Sequence, residues 1–206
     1  ITTNGSFGGQ VIFNGVGGEW TLGSAFSTGS SVTFTAGTLT TANYNFTCTI
    51  FRSDATGVGT INLGSSAVSC SQFRIADAVT LNAGTSSITC SATVSAQFGY
   101  STNTVGHTYY NLTQNNITAN YSIFANNTFN NLTLATITGT LQVITLTGNQ
   151  TINGTFTASG SGAINRLTLQ SDVIGTARTL TVGTVAALTD VDFRDITVAG
   201  ASSPWS

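Results

Sequence analysis

Cysteines 48, 70 and 90 recur 22 and then 20 residues apart inside look-alike strings. Phe46-Thr47-Cys48-Thr49, Val68-Ser69-Cys70-Ser71 and Ile88-Thr89-Cys90-Ser91 each read apolar, hydroxyl, cysteine, hydroxyl. The likeness extends upstream of the last two, through Ile61-Asn62-Leu63-Gly64-Ser65-Ser66 and Leu81-Asn82-Ala83-Gly84-Thr85-Ser86. The same stride carried on reaches Leu112 in Tyr109-Tyr110-Asn111-Leu112-Thr113 and then Leu132 in Phe129-Asn130-Asn131-Leu132-Thr133. A repeat of about 20 to 25 residues marks a solenoid, because one such unit cannot bury its apolar face alone and must stack on its neighbours. Within each unit apolar and polar residues alternate, the period of a strand, and Gly, Asn or Ser corners separate runs of a few residues. Several turns per repeat suit a parallel β-helix better than a helical repeat.

The spacing therefore predicts an all-β chain forming a single-chain parallel β-helix (β-solenoid) with coils of about 20–24 residues. It reads as one continuous unit over residues 1–206, with opening coils in 1–32, regular coils in 33–134 and less regular coils in 135–206. No Pro-rich, Gly/Ser-only or charged linker divides it. Cys48, Cys70, Cys90, Leu112 and Leu132 are expected to form one inward ladder.

Such a surface must be polar without charge. Charged residues make up 6% of the chain and lysine is absent, against roughly a quarter in ordinary globular proteins. Thr, Ser, Asn and Gly take their place, Thr because it sits well on a pleated strand, Asn and Gly because they tolerate tight turns. The net charge is -2 and the five basic residues, all arginine, are scattered at 52, 74, 166, 178 and 194. Nucleic-acid binders concentrate positive charge to neutralise phosphates, so that class is disfavoured, and so is an anionic membrane surface. The chain shows no apolar run of about 18 residues and no signal-peptide pattern, so neither membrane insertion nor a leader is expected. Without methionine, and ending on Ser203-Pro204-Trp205-Ser206, it reads as a piece of something longer.

The three cysteines are odd in number and occupy equivalent positions, which argues for a column of buried thiols over a disulfide framework. Strands about 4.8 Å apart bring the Cα atoms within disulfide reach, but side chains stacked in one direction rarely supply the torsion. No His, Asp or further Cys joins them at ligand spacing, so no metal and no cofactor is expected.

From residue 108 a second motif places a turn-capable polar residue before an apolar-Thr-apolar strand. It appears in Tyr110-Asn111-Leu112-Thr113, Asn130-Asn131-Leu132-Thr133, Asn165-Arg166-Leu167-Thr168 and Arg194-Asp195-Ile196-Thr197. Asn111 and Asn131 are expected at corners, stacked as a side-chain ladder. His107, the sole histidine, has no acidic or thiol neighbour in sequence and reads as a turn or surface residue. Of Tyr109 and Tyr110, alternation puts one in the core.

The acidic cluster Asp190-Val191-Asp192-Phe193-Arg194-Asp195 is the candidate for chemistry. On a strand, Asp190 and Asp192 would project from one face, an arrangement that suits the acid and base or nucleophile of a glycosidase. The simpler reading makes it an exposed charge group with Arg194, Asp195 capping the turn before Ile196. Nine N-x-S/T sequons, at Asn4, Asn45, Asn111, Asn116, Asn120, Asn126, Asn131, Asn149 and Asn153, are what so much Asn, Thr and Ser produces, with a glycosylated surface protein as the alternative reading. No phosphate-loop, nucleophile-elbow, zinc-protease or EF-hand string is present.

The run from Phe34 to Cys48, the corner Thr128-Phe129-Asn130-Asn131-Leu132, the segment Asn149-Gln150-Thr151-Ile152-Asn153-Gly154-Thr155 and Asp192-Phe193-Arg194-Asp195-Ile196 resemble the Thr/Gly/Asn-rich β-helical repeat proteins of tailed-phage virion appendages. The resemblance implies a non-enzymatic shaft of a tail fibre, spike or capsid fibre at the virion surface or outside the cell. It implies as partners other virion or surface proteins, a homotrimer, and a host surface glycan or protein receptor. Bacterial and archaeal adhesins and self-assembling filaments share the texture. A polysaccharide depolymerase using Asp190 and Asp192 is the enzymatic alternative.

Overall fold

A computed structural model describes residues 1–3, 5–91, 96–117, 120–136, 141–203 and 205. Among them every regular element is a strand, and the named strand pairs are all parallel, wound into a β-solenoid of about eight turns. Two sheets carry the winding. One runs from Val11–Thr21 through Val32–Thr40 and Ile50–Asn62 to Leu167–Ser171 and Val191–Arg194. The other runs from Phe26–Ser27 through Ser87–Cys90, Thr108–Ile117 and Asn127–Thr136 to Ile196–Ala199.

The long strands bend over corners, so each coil presents three faces. In Thr108–Ile117, Tyr109 and Leu112 are both buried with two half-buried residues between them, which breaks strict alternation and turns the chain. Ile50–Asn62 likewise pairs with Gln72–Arg74 through its first residues and with Val79–Asn82 through its last.

Parallel in-register pairing stacks each inward position on its equivalents. On the first face Val32, Phe51, Phe73, Phe98 and Ile123 follow one another. On the second, Trp20, Leu39, Ile61 and Leu81 form one run, and Tyr109, Phe129, Ile152 and Val182 another. The third face is unbroken from Phe26 through Phe46, Val68, Ile88, Leu112, Leu132 and Phe156 to Val185. Like rings stack face to face, with centroids 4.5 Å apart for Phe26 and Phe46 and 5.0 Å for Phe51 and Phe73, a geometry that adds to the area each ring buries.

The predicted single ladder through the cysteines and leucines divides into two columns. Cys70 faces Cys90, but Cys90 faces Gln114, and Leu112 lies beside Ile88. The coil between them spans 24 residues, as the bond from Asn111 Nδ2 to Ser87 Oγ shows, so a stride of 22 lands two residues short. The cysteine column continues through Gln114, Leu134, Ala158 and Leu188. Coil length is also more variable than 20–24. It falls to 18 where Arg178 faces Ile196 and reaches 30 where Asn149 Oδ1 accepts from the Thr179 N–H at 2.8 Å.

Cys48, Cys70 and Cys90 are free and buried, with 3.9 Å between the Cys70 and Cys90 sulfurs. Burial pushes the Cys48 thiol up to about 12. Contact with Cys90, followed by burial, raises Cys70 well above its ordinary value. Both stay protonated at neutral pH and are poor nucleophiles.

Tight corners set one further requirement. Gly59 has φ +139°, and a Cβ there would collide with the Gly37 carbonyl oxygen in the preceding coil. Leu132→Ala, by opening a cavity in the unbroken third face, is expected to lower unfolding free energy by about 2–5 kcal/mol, measured by urea denaturation. Gly59→Ala should destabilise through backbone collision, without a cavity to fill. In alkylation assays the three buried thiols are expected to react in denaturant and to resist iodoacetamide in the native protein; rapid native labelling would contradict their burial.

Candidate functional site

The acidic cluster is clamped from the neighbouring coil. Asp190 lies outside the strand the spacing suggested, in a bend at φ +53° just before Val191–Arg194, yet both carboxylates turn to the same guanidinium. Thr168 pairs with Asp192, which brings Arg166 beneath the cluster. The Arg166 guanidinium donates to Asp192 Oδ2 at 2.8 Å, to Asp190 Oδ1 at 3.3 Å and to the Val191 carbonyl at 3.1 Å. Arg166, and not Arg194, is therefore the cation of this group. Asp195 Oδ2 reaches across to the Gly175 N–H at 3.2 Å instead of capping its own turn.

The hydrogen bond from Arg166 holds the Asp192 carboxyl below the usual carboxylate range. A glycosidase general acid needs the opposite displacement, produced by burial in an apolar pocket. Asp192 is about half exposed, with 53% of its side chain accessible. The arrangement is a surface ion-pair group of the kind that contributes little to stability.

The corner asparagines interlock. Asn131 Nδ2 donates to Asn111 Oδ1 at 3.0 Å, and Asn130 Nδ2 reaches the same oxygen at 3.3 Å. Asn131 Oδ1 accepts from the Thr155 N–H at 2.8 Å, so the ladder extends into the next coil through the backbone. Among the sequon asparagines, Asn126 and Asn149 also commit their Oδ1 atoms to backbone N–H groups. Asn4 and the Asn116 side chain lie outside the described residues.

A buried amide cluster was not anticipated from sequence. Asn127 Nδ2 donates to Gln150 Oε1 at 3.2 Å and to the Phe124 carbonyl at 2.9 Å. Gln150 Nε2 donates to the carbonyls of Ala125 and Gly148 at 2.7 and 2.9 Å. Its sequence signal is the similarity of Ala125-Asn126-Asn127-Thr128 to Gly148-Asn149-Gln150-Thr151, which stack in register.

The main irregularity is a seam in the second face. Residues 99–107 are drawn onto the coil before them. The Gly99 N–H donates to the Phe73 carbonyl at 3.2 Å, Asn103 Nδ2 to the Ile75 carbonyl at 2.7 Å, and the Thr104 and Val105 N–H groups to Asp77 Oδ2 at 2.8 and 3.2 Å. The Tyr100 hydroxyl donates to the Ser53 carbonyl, and the Arg74 guanidinium lies 5.6 Å from the Tyr100 ring centroid. After this detour Thr108 and Tyr109 pair forward with Thr128 and Phe129, while Val79–Asn82, among the described residues, pairs only with Ile50–Asn62. A cleft of about 500 Å³ opens between residues 81–84 and 108–110 and extends to 128–130 and Asn153.

His107 sits beside this cleft, half-buried, not on the open surface. Its N–H donates to Asn127 Oδ1 at 3.2 Å and its carbonyl accepts from the Thr128 N–H at 3.0 Å. Burial lowers its pKa, partly opposed by the Ala76 carbonyl and the Asp77 charge. Tyr109 is the inward tyrosine of its pair, packed 4.7 Å from Phe98 and 5.5 Å from Phe129, and burial raises its phenol far above the ordinary value. Among the described residues no group of three or more His, Cys, Asp or Glu is arranged to hold a metal ion, and no helix is long and apolar enough to cross a membrane.

Because His107 has a lower pKa folded than unfolded, the folded state binds fewer protons. Its stability contribution is full above about pH 6.5 and is lost as the pH falls through the folded value. Thermal unfolding from about pH 7.5 to pH 5 should show a larger drop in midpoint for the native chain than for His107→Gln; equal drops would remove His107 as the titrating group. Comparison with protein-family models, with curated proteins and with solved structures found no match to this chain.

Proposed function

We propose that the chain is a non-enzymatic shaft segment of an extracellular or virion-surface appendage, of the kind found in phage fibres. The observation that carries this reading is the unbroken third face, stacked in register from Phe26 to Val185. A stack of this kind resists bending, since each coil is held by backbone hydrogen bonds to the one above and the one below. At about 4.8 Å per coil, some eight turns give a rod segment roughly 40 Å long.

Its exterior fits that role. Outward on the third face stand Ser27, Thr47, Ser69, Thr89, Thr113, Thr133 and Thr157, again in register. Hydroxyls and methyls replace the usual charges, so little of the stability depends on ion pairs that salt would screen. Other appendage proteins, copies of this chain in a homotrimer, and a host glycan or protein receptor are the partners that such a shaft would meet. The clamp of Arg166 on Asp190 and Asp192 supports a structural role for the only D-x-D pair.

Immunogold labelling of virions and of producing cells, with antibody to this chain, is expected to decorate fibres at a particle or cell surface; label confined to the cytoplasm would end the proposal. Incubated with host capsular polysaccharide, the protein should leave viscosity unchanged. A fall in viscosity that disappears in Asp192→Asn would make it a depolymerase instead.

A further inference from the structure

We propose that the seam cleft between residues 81–84 and 108–110 is a binding site for a neutral sugar unit of a surface polysaccharide. The proposal rests on the reading of the chain as a surface-contacting shaft and names the ligand chemistry of one place on it. At about 500 Å³ the cleft falls within the range of small-ligand pockets, roughly 300–1,000 Å³. It is also where the second face loses its strand pairing, so it is a gap in the wall and not a dimple between side chains.

The lining has the two characters that a pyranose ring requires. Tyr109 and Phe129 lie behind the cleft in the core, and its accessible apolar surface comes from half-buried Leu81 and Tyr110. Against these the C–H face of a sugar can pack. The rim is made of amides. Asn82 spends its Nδ2 on Asn62 Oδ1 at 2.8 Å and Asn130 spends its Nδ2 on Asn111 Oδ1 at 3.3 Å. Among the described residues each keeps a carbonyl oxygen with spare lone pairs, and Asn153 stands exposed with both its donors and its acceptor. Sugar hydroxyls donate and accept, and this rim offers both functions.

The backbone adds to the rim. The Asn82 carbonyl turns toward the Leu63 N–H at 3.0 Å in the preceding coil. Neighbouring residues of a parallel strand direct their polar groups to opposite sides, which turns the Leu81 N–H and C=O toward the cleft. Among the described residues no charged side chain lines the site. A uronic or sialic acid would lose its hydration there without gaining a cation, so the lining selects uncharged sugars.

Isothermal calorimetry would use glucose-, galactose-, mannose- and N-acetylglucosamine-based oligosaccharides, with glucuronate and sialic-acid oligosaccharides as the charged arm. At least one neutral series is expected to bind. Tyr110→Ala and Asn153→Ala should each weaken it about tenfold, the effect of removing one anchor, with thermal midpoints unchanged. The proposal is overturned if no neutral series binds, if the charged arm binds more tightly, or if both variants bind like the native chain. Binding is read in vitro on the isolated chain, so its failure leaves the shaft reading standing, and a failure of surface labelling leaves the binding result intact.

Discussion

Stacking in register is the constraint from which the rest follows. In a parallel solenoid each residue meets its own equivalents in the coils above and below, about 4.8 Å away. A residue type is tolerated only if it tolerates itself. Phenylalanine stacks on phenylalanine, threonine shelves against threonine, and asparagine amides pass a hydrogen bond along the column, as Asn131 does to Asn111. Charge is the type that fails this test, because like charges opposite one another repel. The chain's low charge is thus a requirement of its winding. The exception is instructive: Arg52 and Arg74 are register partners, and their guanidinium groups go separate ways, Arg52 to the Thr33 hydroxyl and Arg74 over the Tyr100 ring.

The architecture was legible because alternation and corner residues are local signals. Phe46, Val68 and Ile88 each stand before a hydroxyl residue, Thr47, Ser69 and Thr89, and the sequence displays that alternation directly. Register is not local. Placing Leu112 over Cys90 assumed a constant coil length, and the assumption failed where residues 99–107 turn back onto Ile75 and Asp77. Nothing in the spacing announces that detour, since Asp77 and Thr104 find each other only after the coils have stacked. Variable coil length after residue 135 was visible as loosened spacing, but the size of each coil was not.

The site was less legible than the fold. Asp190 and Asp192 drew attention as a pair, yet the residue that defines their chemistry is Arg166, one coil away. The amides of Asn127 and Gln150 are hidden for the same reason: each looks like a turn residue until the partner coil arrives. His107 looked like a surface residue because its surroundings, the carbonyls of Ile75 and Ala76, come from a coil some thirty positions earlier in the chain.

The seam has a consequence for how force passes along the rod. Through the middle of the stack a pull on one coil is shared by backbone bonds on three faces. Between Val79–Asn82 and Thr108–Ile117 the second face contributes none among the described residues, and the load falls on the bonds of the other two faces and on the side-chain ties from residues 99–107. A zipper missing teeth on one side opens there first. Stretching would part the chain at this level, into an opening block ending near Cys90 and a later block beginning near Thr108. Asp77, the carboxylate that fastens the detour, would act as the latch between them.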